Sequence, residues 1–580
     1  MRDMAAPYNK NRSKVACSVC RARKTRCDGA KPKCSFCLEN GCVCKYETPP
    51  QAGGSSRTVE TNIETILTKI SVIEKCLSLS RGAGSQSSPA LTIGSPDETS
   101  TREKEGHRSG RGFASLTIKD DQFAAIIFHT DINLSRHARS LEIHHALEYE
   151  NSGRGSVAIF RHSPHELGQL FFRHTYNWYP ILNKRDIFEK LPLIQNTVCP
   201  PSPDSFLLLM VLAIGSLNAN DSIGTFQAEE FHAQALSMLG CVLEEVSLRS
   251  VQCVILLTIF YGLKFMPMKA QEYISMGSIK MQNLMEIQPV NKSVDDASGD
   301  IIYDLEEYET RAFWALFILE SEYAGTLHFA NTGLFSYAGN IKFPSLREEP
   351  YHWTPGSPES LDSSAIDEPD PHFLAEIGVR KIIDRTCYTF NSYSESSNST
   401  TITTTNRRTP FAAIVAKELQ SQLDEWYLCL PDSIKFDKST WYNNNTRHST
   451  RALIRAQYFA TVILMYWPCM MEIIMTGGEE CQSQEHRDAF KTSIDSYIQL
   501  VLCGTSVRLS ELPTVWPHAV SIFAMTATII RMTQRTSLRY DKPDELESSI
   551  QRSFAFLEAM IHCSPSIRYF TVILHDLQSQ

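Results

Sequence analysis

From residue 114 to residue 580, apolar side chains return at the spacing of a helix face, and strand-like alternation is scarce. Phe231, Ala235, Met238, Leu239 and Val242 form one such face. Phe411, Val415, Leu419, Leu423, Trp426 and Leu430 form another, stopped by Pro431, which cannot continue a helix. Segments 205–217, 250–263, 310–323, 451–475 and 515–533 read as further helices. The pattern predicts an all-α region over 114–580, long enough for one large or two ordinary domains. The apolar run at 206–214 is far shorter than the roughly 18–20 residues a membrane span requires. The longer stretch at 452–475 contains Arg455, Gln457, Pro468 and Glu472. No membrane segment is expected.

Before residue 114 the periodicity changes. Val59, Ile63, Ile66, Ile70, Ile73 and Leu77 step by 4, 3, 4, 3 and 4, a heptad seam with Ile63, Ile70 and Leu77 at a and the others at d. Lys69 then falls at g and Glu74 at the following e′, a pair suited to a parallel dimer. We read 58–80 as a coiled-coil dimerisation element; the bland alternative is an amphipathic helix packed on its own domain. Isoleucine at both a and d favours higher oligomers in free coils, and Ser80 ends the seam. The flanking segments, 45–57 and 81–113, are rich in Pro, Gly and Ser or in Ser, Gly and charge. They are expected to be a flexible linker and a disordered linker.

Six cysteines, Cys17, Cys20, Cys27, Cys34, Cys37 and Cys44, follow the pattern C-x2-C-x6-C-x6-C-x2-C-x6-C. Its second half repeats its first. A C-x2-C pair brings two thiolates onto one ion through a tight turn, and a third follows one helical segment later. Each half is one sulfur short of a tetrahedral shell. If one cysteine from each half bridges both ions, six thiolates complete two four-coordinate sites, which predicts a two-metal cluster in 17–44. Zinc suits all-thiolate tetrahedra without redox chemistry. No histidine precedes His107, so a Cys/His finger is excluded. A disulfide knot requires an oxidising compartment, and the first twenty residues are polar and basic rather than secretory. Cys42 lies outside the pattern and reads as a spare thiol.

Charge adds the partner. Residues 1–46 hold eleven Lys/Arg against three acids, a local charge of +8 in a chain of −9. One compact basic end on an acidic protein is a polyanion-binding site. The run Arg21-Ala22-Arg23-Lys24-Thr25-Arg26 spans one to two helical turns between the second and third cysteines, which points several cations away from the metal.

The cysteine spacing resembles that of the fungal zinc binuclear cluster family of transcription regulators, over roughly residues 17–46. The resemblance implies that Cys17 and Cys34 bridge, that Cys20 and Cys27 complete one site, and that Cys37 and Cys44 complete the other. It also implies a short helix in the major groove whose lysine, here Lys24 with its neighbour Arg23, reads a CGG triplet. Arg and Lys suit guanine O6 and N7. Arg21, Arg26, Lys31 and Lys33 are assigned to phosphates. Pro32 matches the loop proline joining the two half-motifs. Behind the cluster, several pieces resemble the family's regulatory middle homology region. They are Phe171-Phe172-Arg173-His174 through Tyr179-Pro180-Ile181-Leu182, then Val251-Gln252, then Glu309-Thr310-Arg311-Ala312-Phe313-Trp314, then Leu423, Trp426 and Leu430-Pro431. Ala312 stands where a second arginine is common, and residues 325–331 lack the glycine–arginine–proline that often follows.

No Walker loop, H-E-x-x-H or G-x-S-x-G is present, so an enzyme is not expected. His144-His145 reads as a helix surface pair. The ten scattered cysteines from Cys76 onward read as buried thiols of a reduced chain, and Trp314, Trp426 and Trp467 as core. The acid-rich stretches 295–309 and 347–370 and the Ser/Thr run 392–405 read as solvated insertions. A thiolate metal-storage protein would need more thiols per residue and no basic fork.

The expectation is therefore mainly α. A small two-zinc cysteine cluster is followed by a short coiled coil and a large all-α regulatory domain, in a nuclear, sequence-specific transcription regulator. The basic block at 10–26 also serves as a nuclear localisation signal on this reading. Its partners are double-stranded DNA, a second copy of the chain, the transcription machinery or co-regulators, and a small-molecule effector of the helical region. Activation is the commoner role in the resembled family.

Overall fold

A serine followed by a proline opens three of the helices in the long C-terminal region. Ser163, Ser202 and Ser564 each accept a hydrogen bond from the backbone N–H three residues on. The proline then sits where a helix has no use for an N–H. Glu166 returns the contact to the Ser163 N–H at 2.9 Å, completing a capping box. Asn183, Asp221, Ser247 and Ser483 cap four more helices in the same way.

The computed structural model describes residues 20, 27 and 33–40, then 121–151, 162–195, 200–287, 292–294, 301–303, 305–327, 329, 332–345, 371–398, 408–439, 449–477, 483–507 and 512–580. The chain divides into two units, Met1–Thr61 and Asn62–Gln580. In the first, α1 is Ser35–Glu39. The second begins with α2 (Asp121–Phe128), α3 (Leu134–Asn151), α4 (Pro164–His174), α5 (Lys184–Lys190) and α6 (Pro203–Asn218). It continues with α7 (Ser222–Ser237), α8 (Leu239–Glu244), α9 (Leu248–Leu263), α10 (Pro267–Ile287) and α11 (Glu307–Thr326). After these come α12 (His372–Asn398), α13 (Arg408–Leu428), α14 (Ser449–Thr476), α15 (Gln484–Gly504), α16 (Val515–Arg535), α17 (Pro543–Glu558) and α18 (Pro565–Ser579).

Burial follows the apolar pattern. Helices α6 and α9 are buried on every side along most of their length, and α16 is buried from Val515 to Met532 with His518 and Ser521 only half covered. A helix apolar all round belongs at a centre, with amphipathic helices around it. Helix α6 packs on α4, α7 and α9, while α14 lies along α15 and also meets α12, α13 and α16. The described ends of this unit close on each other. Phe128 stacks on Phe523 at 5.8 Å, and Arg531 donates to the Ile127 carbonyl at 2.7 Å. Glu142 on α3 accepts from the hydroxyls of Ser564 and Ser566 at the start of α18.

Four details depart from the sequence expectation. The face at 231–242 is not one helix: the chain breaks at Met238 between α7 and α8, with the Ser237 hydroxyl turned back onto the Gln234 carbonyl. The stretch at 452–475 is not interrupted: α14 runs through Pro468. By length and composition residues 450–476 are apolar enough to cross a membrane, but 72% of the qualifying window is buried inside this unit, as befits a central core helix. The stretch 295–309 is more than a solvated loop, because Ile301–Tyr303 pairs antiparallel with Lys292–Val294. Glu306 and Glu309 then close a capping box that starts α11. Finally, α12 runs on to Asn398, into the Ser/Thr-rich stretch read as an insertion.

Candidate functional site

In the first unit, extended backbone at Cys34 (φ −68°, ψ 155°) leads directly into α1, and Cys37 follows one turn later. Both sulfur-bearing residues are buried, as is Cys20, while Cys27 and Phe36 are half-buried against them. The Sγ atoms of Cys20, Cys27 and Cys34 all lie within 4.8 Å of one another, and Cys20 and Cys34 are 3.7 Å apart. Two sulfurs joined as a disulfide stand about 2.05 Å apart, so that bond is not what holds them. Four sulfurs about 2.3 Å from one zinc ion are separated by about 3.8 Å along each edge of the tetrahedron, which the Cys20–Cys34 spacing matches. The donor set fits zinc: three thiols converge with no competing carboxylate or imidazole among the described residues around them.

Lys33, beside Cys34, is exposed. The remaining expected ligands Cys17 and Cys44, the cations Arg21, Arg23, Lys24, Arg26 and Lys31, and the seam residues Val59, Ile63, Ile66, Ile70, Ile73 and Leu77 lie outside the described residues.

In the second unit, motifs far apart in sequence meet at one irregular segment, Tyr179 to Leu182, where the Ile181 N–H turns back onto the Tyr179 carbonyl at 2.8 Å. The Gln252 amide donates to the Ile181 carbonyl at 2.6 Å. Arg311, fully buried, donates to the Pro180 carbonyl at 3.3 Å and to Glu307 at 2.7 Å. Tyr176 donates its hydroxyl to the Leu182 carbonyl. Trp314 and Trp426 are buried and donate to the carbonyls of Lys342 and Ala375; Trp467 is buried against Phe123. These residues build the core. Ala312 is itself fully buried. His144 is exposed and His145 half-buried, 3.8 Å from Glu142, on the surface of α3.

The sequence reading missed a polar cluster deeper in the same unit. Arg380 on α12 is bonded to Glu376 one turn earlier and to Glu322 on α11. Gln457 on α14 donates to Glu376 at 2.7 Å. Burial pushes the Glu322 carboxyl up to about 7, against the opposing pull of Arg380 and with Glu376 adding to the rise. His518 on α16 shares an Nε2 hydrogen with the Gly504 carbonyl at 3.0 Å, and loss of solvation depresses its protonation. The available signal was Gln457 itself: a polar residue in an apolar helix face marks a place where that face meets other polar groups.

Comparison with known proteins places both units. The family model described as fungal Zn(2)-Cys(6) binuclear cluster domain matches residues 15–53. The one described as fungal specific transcription factor domain matches residues 169–427. The transcription factor ecdB of Aspergillus rugulosus is 26% identical over 561 residues, 93% of each chain. The C6 finger domain transcription factor hasF of Aspergillus fumigatus is 29% identical over 154 residues, 24% of this chain and 20% of its own. The asperfuranone cluster transcription factor afoA of Emericella nidulans is 38% identical over 66 residues, 11% and 10% of the two chains. No solved structure matches the chain. A thiolate cluster ahead of a large helical unit defines a zinc-binding, DNA-binding regulator. The chain belongs to the fungal Zn(2)-Cys(6) binuclear cluster transcription factors.

Proposed function

We propose that this regulator holds two zinc ions in residues 17–44, with Cys17 and Cys34 shared between them, and reads CGG-like triplets. Lys24 and Arg23 contact guanine edges, while Arg21, Arg26, Lys31 and Lys33 contact phosphates. The carrying observation is the convergence of Cys20, Cys27 and Cys34 at the sulfur–sulfur spacing of a zinc tetrahedron, inside the most basic segment of an otherwise acidic chain. Residues 58–80 pair two copies, so that binding the second triplet becomes intramolecular. The 45–57 linker permits several half-site spacings. The protein acts in the nucleus on RNA polymerase II genes, as an activator of one pathway. The relative matched over 93% of its length is named only as a transcription factor, and a shorter match is named for the asperfuranone cluster. This supports a set of biosynthetic genes as the target. The helical unit senses an effector and carries no catalysis.

Metal analysis and band shifts on the full chain test this together. We expect about two zinc per chain, from the shared-shell argument, and preferential binding of paired CGG triplets over scrambled DNA. Lys24→Ala should cost about 1–3 kcal/mol on the specific site and flatten base preference. Lys33→Ala should weaken all sequences alike and lower the salt slope. One zinc per chain, or equal losses for Lys24→Ala on specific and random DNA, overturns the reading.

A further inference from the structure

Three aromatic rings meet where α13, the segment 431–439 and α14 come together: Tyr427 near the end of α13, Phe436 in the segment and Tyr458 on α14. Tyr427 stands 5.0 Å from Phe436 and 5.9 Å from Tyr458, and those two are 5.7 Å apart, centroid to centroid. The ammonium of Lys438 lies 4.2 Å from the centre of the Tyr427 ring and 4.5 Å from that of Tyr458, and it donates to the Asp424 carboxylate. Two ring faces and one carboxylate around a cation form the kind of cage that takes methylated ammonium groups.

The cage does not depend on the lysine that fills it. The Tyr458 hydroxyl donates to Asp424 and that of Tyr427 to the Phe436 carbonyl, which fixes both rings. Arg455 donates to the carbonyls of Asp437 at 3.0 Å and Lys438 at 3.4 Å, and Arg451 donates to that of Ser433. Helix α14 thus holds the segment by its backbone, and the Lys438 side chain can swing out without undoing any of these bonds. The side chains of Lys438 and Asp424 are 34% and 42% exposed, so the mouth of the cage opens on solvent. An ion pair this exposed holds its partners weakly. The other cation beside Tyr427, Lys435, stands 5.6 Å from the ring and is bonded to the Leu428 carbonyl.

We propose that this cage is a binding site for a methylated ammonium cation, with Lys438 as a displaceable plug. An unmethylated amine from solution does not win the exchange, because it offers the same ammonium that Lys438 supplies at the high effective concentration of a tethered group. A methylated ammonium brings what the plug lacks. It sheds water more readily and lays methyl groups on the ring faces, each fully buried one adding about fourfold in affinity. A neutral group of the same shape offers the methyls but neither the attraction to the ring faces nor a charge for Asp424. Methylated lysine on a peptide and a free choline-type molecule share this chemistry. The proposal deepens the effector part of the proposed function and rests on it for its regulatory meaning. Binding is read with no DNA present, so its failure leaves the DNA reading standing.

The test is a ligand-observed NMR titration of the full, zinc-loaded chain at constant ionic strength. The probes are choline, its neutral isostere with a tert-butyl head, and capped Gly-Lys-Gly peptides with the lysine trimethylated or unmodified. Choline and the trimethylated peptide should bind saturably and compete with each other, while the tert-butyl analogue and the unmodified peptide should not. Tighter binding of the peptide assigns the site to methylated protein segments, and tighter binding of choline assigns it to small molecules. Lys438→Ala removes the plug and should tighten both methylated probes by about five- to thirtyfold. Tyr427→Leu removes a wall and should abolish binding. Asp424→Asn keeps the acceptor for the Tyr458 hydroxyl while removing the charge, and should weaken both probes; it decides alone if Tyr427→Leu does not fold. Choline bound no more tightly than its neutral isostere, or an affinity unaltered by Lys438→Ala or by Asp424→Asn, overturns the proposal.

Discussion

Arg311 is a fully buried cation whose guanidinium reaches back 131 positions in sequence to the Pro180 carbonyl. Glu307, bonded to Arg311 and to the Ser345 N–H, is held below the usual carboxylate range: those bonds outweigh the burial that raises it. Replacing Arg311 by Met takes a donor from the Pro180 carbonyl and the cationic donor from Glu307, which keeps its Ser345 bonds. The expected loss is about 2–4 kcal/mol, read as a lower urea midpoint at unchanged m-value. Glu322 is the opposite case. Its folded carboxyl titrates at about 7, above the ordinary 4.5, so the folded state holds the proton more tightly than the unfolded chain. Its contribution is fully present below about pH 4.5 and is lost as pH rises through about 7. The Tm of the helical unit should therefore fall between about pH 5 and pH 8, and Glu322→Gln should flatten that fall. Buried Glu142 and Glu320 are raised too and act in the same direction, so some slope persists. His518, depressed in the fold, acts in the other direction toward acid. An equal slope in wild type and Glu322→Gln would show that Glu322 is not the titrating group.

At the scale of elements, the spacing between helices is set by what lies at the contact. A Cβ on Gly262 in α9 would stand 2.1 Å from the Pro513 carbonyl oxygen, closer than any real contact. Gly262→Ala must therefore push α9 away from the turn that starts α16, and it also strains the Tyr323 hydroxyl, which donates to that same carbonyl at 2.8 Å. The expected cost is about 1–3 kcal/mol, from overpacking. Gly240 in α8 meets nothing within 4 Å, and Gly240→Ala should be neutral or add up to about 1 kcal/mol through helix propensity. Thermal unfolding of the two variants side by side checks this: similar Tm changes would mean that the α9–α16 approach is not tight. The helical periodicity predicted which segments coil, and most of their limits fell close to the caps. Distances of approach of this kind have no periodic signature, because they depend on which backbone lies opposite.

At the scale of the molecule, the two units are held by different means. Among the described residues, the Cys20–Cys27–Cys34 set is the one group of three metal-type donors, and it lies in the first unit. The second unit rests on buried apolar surface. A zinc chelator should therefore abolish DNA binding while the main thermal transition of the helical unit moves by less than about 2 °C. Loss of both together would mean that the helical unit depends on the cluster.

The sequence by itself determined the thiolate centre, because metal ligation needs residues at fixed short spacing. It determined the helical class, because burial of one face imposes a period of 3.6. It also determined the buried tryptophans and the ordered motifs from Phe171 to Pro431. Only the tertiary structure decided what those motifs do together, that Gln252 and Arg311 grip one irregular segment between Tyr179 and Leu182. Only it turned Gln457 from an apparent flaw in an apolar stretch into part of a polar centre with Glu322, Glu376 and Arg380. The reason is physical: ligand spacing and amphipathic period are local, whereas a buried charge finds its partner across helices whose order in space no local pattern encodes.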